Sequence, residues 1–266
     1  MTAGFIGCGK MAKAIIASVI KTRIAGARRV RASDIDVHGL RLAARRYGFV
    51  ACSTNLETAR KSDVIFLAVK PYQIGAILDE LAPAITARHL VISIAAGIRL
   101  SRIQSKFRKA RVVRAMPNLA CAVSEAMTAY STGKNVTARD CAMVEKLLGS
   151  FGDVIKLPEP QLDAVTALSG SGPAFFTYCM IAMVDGAVRE GLSRHNAKRL
   201  AAQTMLGTAK LFTDTDLDPD VLITQVATAK GTTKAGLAVL AGQHVSAALS
   251  KAIRAAAKRS RQLRNQ

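Results

Sequence analysis

The sequence predicts an α/β domain with a mostly parallel sheet in its first half and a wholly helical domain in its second. Three observations carry that expectation. Short apolar runs without polar alternation recur between stretches of helical periodicity, the pattern of strands buried on both faces. A glycine-rich stretch, Gly4 to Ala12, joins the first such run to the first helix. Beyond Pro158-Glu159-Pro160 the strand-like runs stop, which sets the expected domains at 1–158 and 159–266.

In chain order, Gly4-Phe5-Ile6-Gly7-Cys8-Gly9-Lys10-Met11-Ala12 reads as strand, G-x-G-x-x-A and helix, with Met11, Ala14, Ile15 and Val19 on one helical face. Gly7 makes the turn, Gly9 lets the backbone approach a pyrophosphate, and Ala12 permits close helix–strand packing. This is the dinucleotide-binding, Rossmann-type arrangement. The second strand, Arg29 to Ser33, ends at Asp34. An acid there commonly holds the ribose hydroxyls of NADH, whereas Ser33 and the nearby arginines would suit NADPH. Asp34 equally suits a helix N-cap.

Further runs follow: Phe49 to Cys52 (strand), Asn55 to Lys61 (helix), Asp63 to Val69 (strand), and a helix carrying Ile74, Ile77, Leu78 and Leu81. Leu90 to Ile94 closes at Ala95-Ala96-Gly97, and Val112 to Met116 closes at Pro117-Asn118. Glu125 to Tyr130, a helix near Asp140 to Ser150, and Val154 to Leu157 add edge structure. Ligands of such sheets bind beyond the carboxyl ends of the strands. Gly7, Asp34, Lys70, Ala95 to Gly97 and Asn118 all fall there.

The second half opens with Ser169-Gly170-Ser171-Gly172-Pro173, read as a tight turn feeding a helix buried at a domain or subunit core. Ala164 to Val184 carries no charge, but the Gly/Ser/Pro cluster breaks the run and leaves too little to cross a bilayer. No membrane span is expected. A helix from about His195 to Phe212 precedes an acidic loop, Asp214 to Asp220, and a short helix, Val221 to Val226. The small, polar loop Ala227 to Thr233 then leads into a helix from Lys234 to Ala241. Hydroxyls and free amides at a helix start suit a carboxylate, and equally suit an ordinary cap.

Composition sets bounds. The chain has 266 residues, half of them hydrophobic, no tryptophan and a net charge of +20. Such a charge attracts anions generally, but sequence-tolerant nucleic-acid binding wants aromatics among the basic residues, and aromatics make up only 5%. No specific nucleic-acid partner is expected. Five scattered cysteines without metal-ligand spacing predict free thiols, no metal site and a reducing, cytoplasmic setting. The chain enters a strand at once, without a signal-peptide pattern. The four histidines are expected at the surface or in loops, with no catalytic part.

Together these segments resemble the pyrroline-5-carboxylate reductase family along the whole chain. The likeness rests on Gly4 to Ala12, Phe66 to Pro71, Arg114 to Asn118, Val165 to Ala174 and Val226 to Leu240. It implies NADPH- or NADH-dependent hydride transfer to the C=N carbon of (S)-1-pyrroline-5-carboxylate, giving L-proline. It implies a helical substrate-binding and dimerisation domain that interleaves with a second subunit, in homodimers that can assemble into decamers. Cofactor contacts are implied for Ile6, Gly7, Cys8, Gly9, Lys10, Met11 and Ala12, for Ala68, Val69, Lys70 and Pro71, and for Asn55 near the adenosine. Ser33, Asp34, Ala95, Ala96 and Gly97 join them on the strength of their places at strand ends.

The substrate would meet Thr228, Lys230, Gly231 and Thr232, with Asn118 from the first domain, and Thr233 would hydrogen-bond the ring nitrogen. Two departures stand out. The family often has Ser-Pro-Gly-Gly where this chain has Thr228-Ala229-Lys230-Gly231, and usually an acid or amide at Ala241. The alternative is a reductase of another imine or a β-hydroxyacid. The latter usually carries a catalytic lysine between its domains, and no lysine occurs between Lys156 and Lys198.

Overall fold

A computed structural model describes residues 1–263. Eight strands form one sheet in the order β3-β2-β1-β4-β5-β6-β7-β8. They are β1 (Ala3–Ile6), β2 (Val30–Ser33), β3 (Val50–Ala51), β4 (Val64–Leu67), β5 (Leu90–Ser93), β6 (Arg111–Met116), β7 (Ala126–Thr132) and β8 (Gly152–Lys156). Every pairing is parallel except β6 with β7. The runs expected as edge structure are the last two strands.

The absence of polar alternation has its cause in two covering layers. Phe5, Phe66, Ile92 and Val113 point into one apolar layer, packed by α1 (Lys10–Lys21) and α6 (Ala138–Leu148). Ile6, Leu67, Val91 and Val112 point into the other, packed by α4 (Ile74–Leu81) and α5 (Leu100–Lys106). Phe5 and Phe66 lie opposite each other on β1 and β4, their rings stacked at 4.6 Å. Such a pair adds about 1 kcal/mol to the area it buries. The smaller helices α2 (Val37–Tyr47) and α3 (Asn55–Arg60) complete the connections.

The chain forms two compact units, Met1–Ser171 with the segment from Ala255 onward, and Gly172–Arg254. In the first unit Ser260 Oγ donates to Asp163 Oδ1 at 2.8 Å, holding the end of the last helix. The second unit is wholly helical. It holds α8 (Gly172–Arg189), α9 (Arg194–Thr215), α10 (Pro219–Val226), α11 (Thr232–Gly242) and the start of α12 (Val245–Leu263). The expected acidic loop is therefore shorter, because Asp218 caps α10 and Pro219 occupies its first turn.

The Ser169–Pro173 stretch is not a tight turn. After α7 (Leu162–Val165), one π-helical turn, Thr166–Gly170, passes directly into α8, and helix continues from Glu159 to Arg189. The hydroxyls explain it. Thr166 Oγ1 donates to Leu162 O at 2.7 Å and Ser171 Oγ to Thr166 O at 3.2 Å, while Ser171 N closes the wide turn on the same carbonyl at 2.9 Å. Pro173 has no N–H for Ser169 O, and Asn118 Nδ2 supplies the missing donor at 3.2 Å.

One further expectation is corrected and another narrowed. The apolar run is not broken: this helix is long and apolar enough, by length and composition, to cross a membrane. Of the two settings expected for it, a domain or a subunit core, the first does not hold, since within one chain Phe176 is 61% exposed and Tyr178 77%.

Candidate functional site

Strand order reverses between β1 and β4, and a crevice opens beyond the carboxyl ends of strands at such a switch. The crevice here has a volume of about 1090 Å³. Gly7, Gly9, Lys10, Met11 and Ala12 form one wall, and Ala68, Val69, Lys70 and Pro71 another. Ser33, Asp34 and Asn55 lie beyond β2 and β3, and Ala95 and Ala96 beyond β5.

The glycine turn is built for close approach. Gly7 has φ +94°, and a Cβ on it would meet Ala68 O at 2.7 Å, so only glycine lets β1 and β4 end side by side. A Cβ on Gly9 would meet nothing, which leaves the start of α1 open. No side chain caps α1 at Gly9. Its first-turn amides and the positive end of its dipole are thus available to an anion. The residues present fit a pyrophosphate-linked dinucleotide.

Beyond β2 the side chains are tied together. Asp34 accepts from Cys8 N through Oδ2 at 2.5 Å and from Asp36 N through Oδ1 at 2.9 Å. Ser33 Oγ donates to Asn55 Oδ1 at 2.7 Å, and Asn55 Nδ2 donates to Glu80 Oε2 at 2.9 Å. Asp34 therefore does not cap a helix; Asp36 does, at the start of α2.

Within the first unit, four sequence-predicted residues lie outside the crevice lining. Ile6 is wholly buried in β1, and Gly97 sits in the turn after β5 at φ +76°. The Cys8 side chain is buried, and burial pushes its thiol up to about 11. It is present as the thiol at neutral pH. The Asn118 amide is used within the fold, accepting from Ala120 N while donating to Ser169 O.

Other lining residues were not singled out from sequence. Ile35, Ser53 and Thr54 follow strands, so position alone could have found them. Tyr72, Gln73, Ile77 and Glu80 come from the segment leading into α4 and from α4 itself, with no motif to mark them. Ile94, Met116, Pro117 and Leu119 extend the strand ends that were expected.

In the second unit, the loop before α11 has its own logic. Gly231 N donates to Thr228 O at 3.0 Å, and a Cβ on Gly231 would lie 2.5 Å from Thr228 Oγ1. Lys230 adopts a left-handed conformation at φ +61°. No side chain caps α11 at Gly231, so the amides of its first turn, with the hydroxyls of Thr232 and Thr233, form an anion-attracting start.

His89 lies in a loop, as expected, but is buried there because it directly precedes β5. Its Nδ1 accepts from Thr86 N at 2.9 Å. Burial, with Arg88 nearby, holds its pKa below the ordinary histidine value. It lies at the amino end of β5, away from the crevice at the carboxyl ends. Among the described residues no His, Cys, Asp or Glu group could hold a metal ion.

The comparisons with known proteins agree with both halves of this geometry. The family described as pyrroline-5-carboxylate reductase dimerisation matches residues 159–263. That of NADP oxidoreductase, coenzyme F420-dependent, matches residues 2–97. A pyrroline-5-carboxylate reductase of Methanosarcina acetivorans is 41% identical over 98% of this chain and 97% of its own length. Pyrroline-5-carboxylate reductase 2 of Homo sapiens is 37% identical over 100% and 84%. Among solved structures, the Coxiella burnetii enzyme superposes with a TM-score of 0.92 at 31% identity over 98% of both chains. A Plasmodium falciparum pyrroline carboxylate reductase with NADP bound gives 0.90 at 27% identity, over 99% of this chain and 98% of its own. With these likenesses spanning the crevice and the helical half alike, the chain belongs to the pyrroline-5-carboxylate reductase family.

Proposed function

We propose that this chain reduces (S)-1-pyrroline-5-carboxylate to L-proline, the last step of proline biosynthesis, using NADH or NADPH. The observation that carries this reading is the uncapped start of α11, where Thr232 and Thr233 follow Gly231. A dinucleotide crevice is common to many reductases, whereas an anion-attracting turn bearing two hydroxyls suits a small carboxylate-bearing imine. Full-length similarity to the family supports the same reading, and the alternative of a β-hydroxyacid reductase has no inter-domain lysine to serve it.

The division of work follows from the residues. Gly7, Gly9 and the first turn of α1 hold the pyrophosphate. Ala68 to Pro71 and Ala95-Ala96 line the crevice where the cofactor lies against the strand ends. The cofactor supplies the hydride that the imine carbon accepts. The Gly231 amide is spent on Thr228 O, so the first-turn amides of α11 from Thr232 on hold the substrate carboxylate, with Lys230 adding positive charge. Thr233 Oγ1 orients the ring nitrogen; a threonine hydroxyl is too weak an acid to protonate it, so water delivers the proton. A cyclic iminium is already a good hydride acceptor, and fixing two reactants in line can contribute about 7–11 kcal/mol. Asn118 acts by holding Ser169 rather than by touching substrate.

We assign 1–158 to dinucleotide binding and 159–266 to substrate binding and dimerisation. The protein works in the cytoplasm as a homodimer or a decamer built from dimers, without membrane or specific nucleic-acid partners. An odd, scattered set of five cysteines in the sequence suits a reducing compartment.

Oxidation of NADH and of NADPH, followed by absorbance with and without pyrroline-5-carboxylate, tests the reaction. Thr233→Ala is expected to lower kcat/KM about 10- to 100-fold, the worth of one hydrogen bond to a charged group. Cofactor binding should be retained. Substrate-independent oxidation, or an undiminished Thr233→Ala variant, would overturn the assignment.

A further inference from the structure

We infer that this chain discriminates in favour of NADH over NADPH and that Asp34 is the residue that decides it. The inference rests on the reading of the crevice as a nicotinamide dinucleotide site. In a sheet of this topology the residue ending β2 faces the adenosine ribose, and an acid there accepts from its hydroxyls. Here that acid is fixed in advance. One carboxylate oxygen accepts from Cys8 N in the glycine turn and the other from Asp36 N, so the side chain cannot swing aside for a phosphate. A carboxylate has about four acceptor positions, and two remain for ribose hydroxyls.

The surroundings give a 2′-phosphate no compensation. Ser33 Oγ, the hydroxyl that would suit a phosphate, is already donating to Asn55 Oδ1 at 2.7 Å. Asn55 in turn donates to Glu80, which places a second carboxylate in the lining. The segment after β2 reads Asp34-Ile35-Asp36-Val37-His38, with no lysine or arginine before Arg41. Arg28, Arg29 and Arg31 precede the strand end, and none lines the crevice. The lysines that do, Lys10 and Lys70, follow the glycine turn and β4. A phosphate monoester carries nearly two negative charges at neutral pH. The net charge of +20 does not offset this, because charges beyond about 8 Å are largely screened at physiological salt.

Equilibrium titration of NADH and NADPH into the full chain, by calorimetry, reads the preference without turnover. NADH is expected to bind at least about tenfold more tightly, the size of one adverse charge contact. Asp34→Asn, which keeps an acceptor for a backbone amide but removes the charge, should narrow that ratio mainly by tightening NADPH. Asp34→Ser should do the same, and thermal unfolding checks that both variants are folded. The ratio of kcat/KM values for the two cofactors should follow the binding ratio, with KM carrying the change. Equal binding, or tighter NADPH binding, by the unaltered chain would overturn the specificity while leaving the dinucleotide site standing. An unchanged ratio in both variants would overturn the part given to Asp34. Failure of either nucleotide to bind a folded protein would overturn the inference together with the reading beneath it.

Discussion

At the scale of single residues, Lys230 shows how far a substitution can be read. It stands where the resemblance implies a glycine, and its φ of +61° is one that a β-carbon makes costly, by about 1–2 kcal/mol. Lys230→Gly removes that cost but loosens the unfolded chain by about 0.4–1 kcal/mol. The expected change in folding stability is therefore a gain of between about 0 and 1.6 kcal/mol, read by denaturant titration. The larger change should fall on the substrate. Losing the cation should raise KM for pyrroline-5-carboxylate several-fold at low salt and less at high salt, because an exposed charge is screened. A KM that ignores both the substitution and the salt would remove Lys230 from the substrate's surroundings. The position of Lys230 in a small-residue loop was legible in the sequence, but its left-handed backbone was not, since lysine gives no sign of it. Asp34 was legible in place but not in state. Spacing named the acid, whereas its two backbone donors come from a turn 26 residues earlier and from its own neighbour.

At the scale of elements, continuous apolar runs identified the strands because two helical layers remove any reason to alternate. The helix from Glu159 to Arg189 was misread for an equally local reason. Glycine, serine and proline together normally punctuate a chain. Here hydroxyls of Thr166 and Ser171 satisfy carbonyls of the turn, and Asn118, from the far end of β6, replaces the donor that Pro173 lacks. No local pattern could supply that partner. The start of α6, expected near Asp140, is set at Ala138 by Thr137 and Asp140. Thr137 Oγ1 accepts from Asp140 N, and Asp140 Oδ2 accepts from Thr137 N at 2.9 Å. Asp140 Oδ1 also takes Arg111 Nη1 of β6 at 2.6 Å, pinning helix to sheet. Burial works to raise the Asp140 pKa, but the Thr137 hydrogen bonds and the Arg111 charge together hold it below the ordinary carboxylate value. A depressed folded-state pKa stabilises at pH above the unfolded value, and that contribution disappears as pH falls through the folded value. Asp140→Asn should thus cost about 2 kcal/mol at neutral pH, with the deficit shrinking below about pH 4. Parallel denaturation curves across pH measure it. A deficit that stays constant into acid would show that the charge contributes nothing.

At the scale of the whole molecule, the second unit cannot be the end of assembly. Helix α8 buries little beyond Gly172 and Val184 in one chain. It presents Phe176, Tyr178, Ile181 and Met183, each at least half exposed. Leu200 and Leu206 on α9 and Val239 and Leu240 on α11 are exposed to a similar degree. Isolated apolar residues on a surface need no explanation, but this concentration within one unit of an otherwise strongly charged protein does. Covering an apolar side chain of this size is worth about 1.5–3 kcal/mol, so a handful of them is enough for firm association. The dimerisation family matched to residues 159–263 points to a second copy of the chain as the cover, rather than lipid. The helix that passes the length and polarity test for a membrane then does so because subunit cores and bilayers ask for the same apolar surface. Light scattering after size exclusion should give a mass at least twice 28.2 kDa without detergent. Ile181→Glu, which puts an unpaired charge into the covered face, should shift the protein toward the monomer or make it aggregate. A detergent-free monomer, indifferent to Ile181→Glu, would mean that the exposed face is left uncovered. A chain that stays in solution only with detergent would mean that lipid covers it.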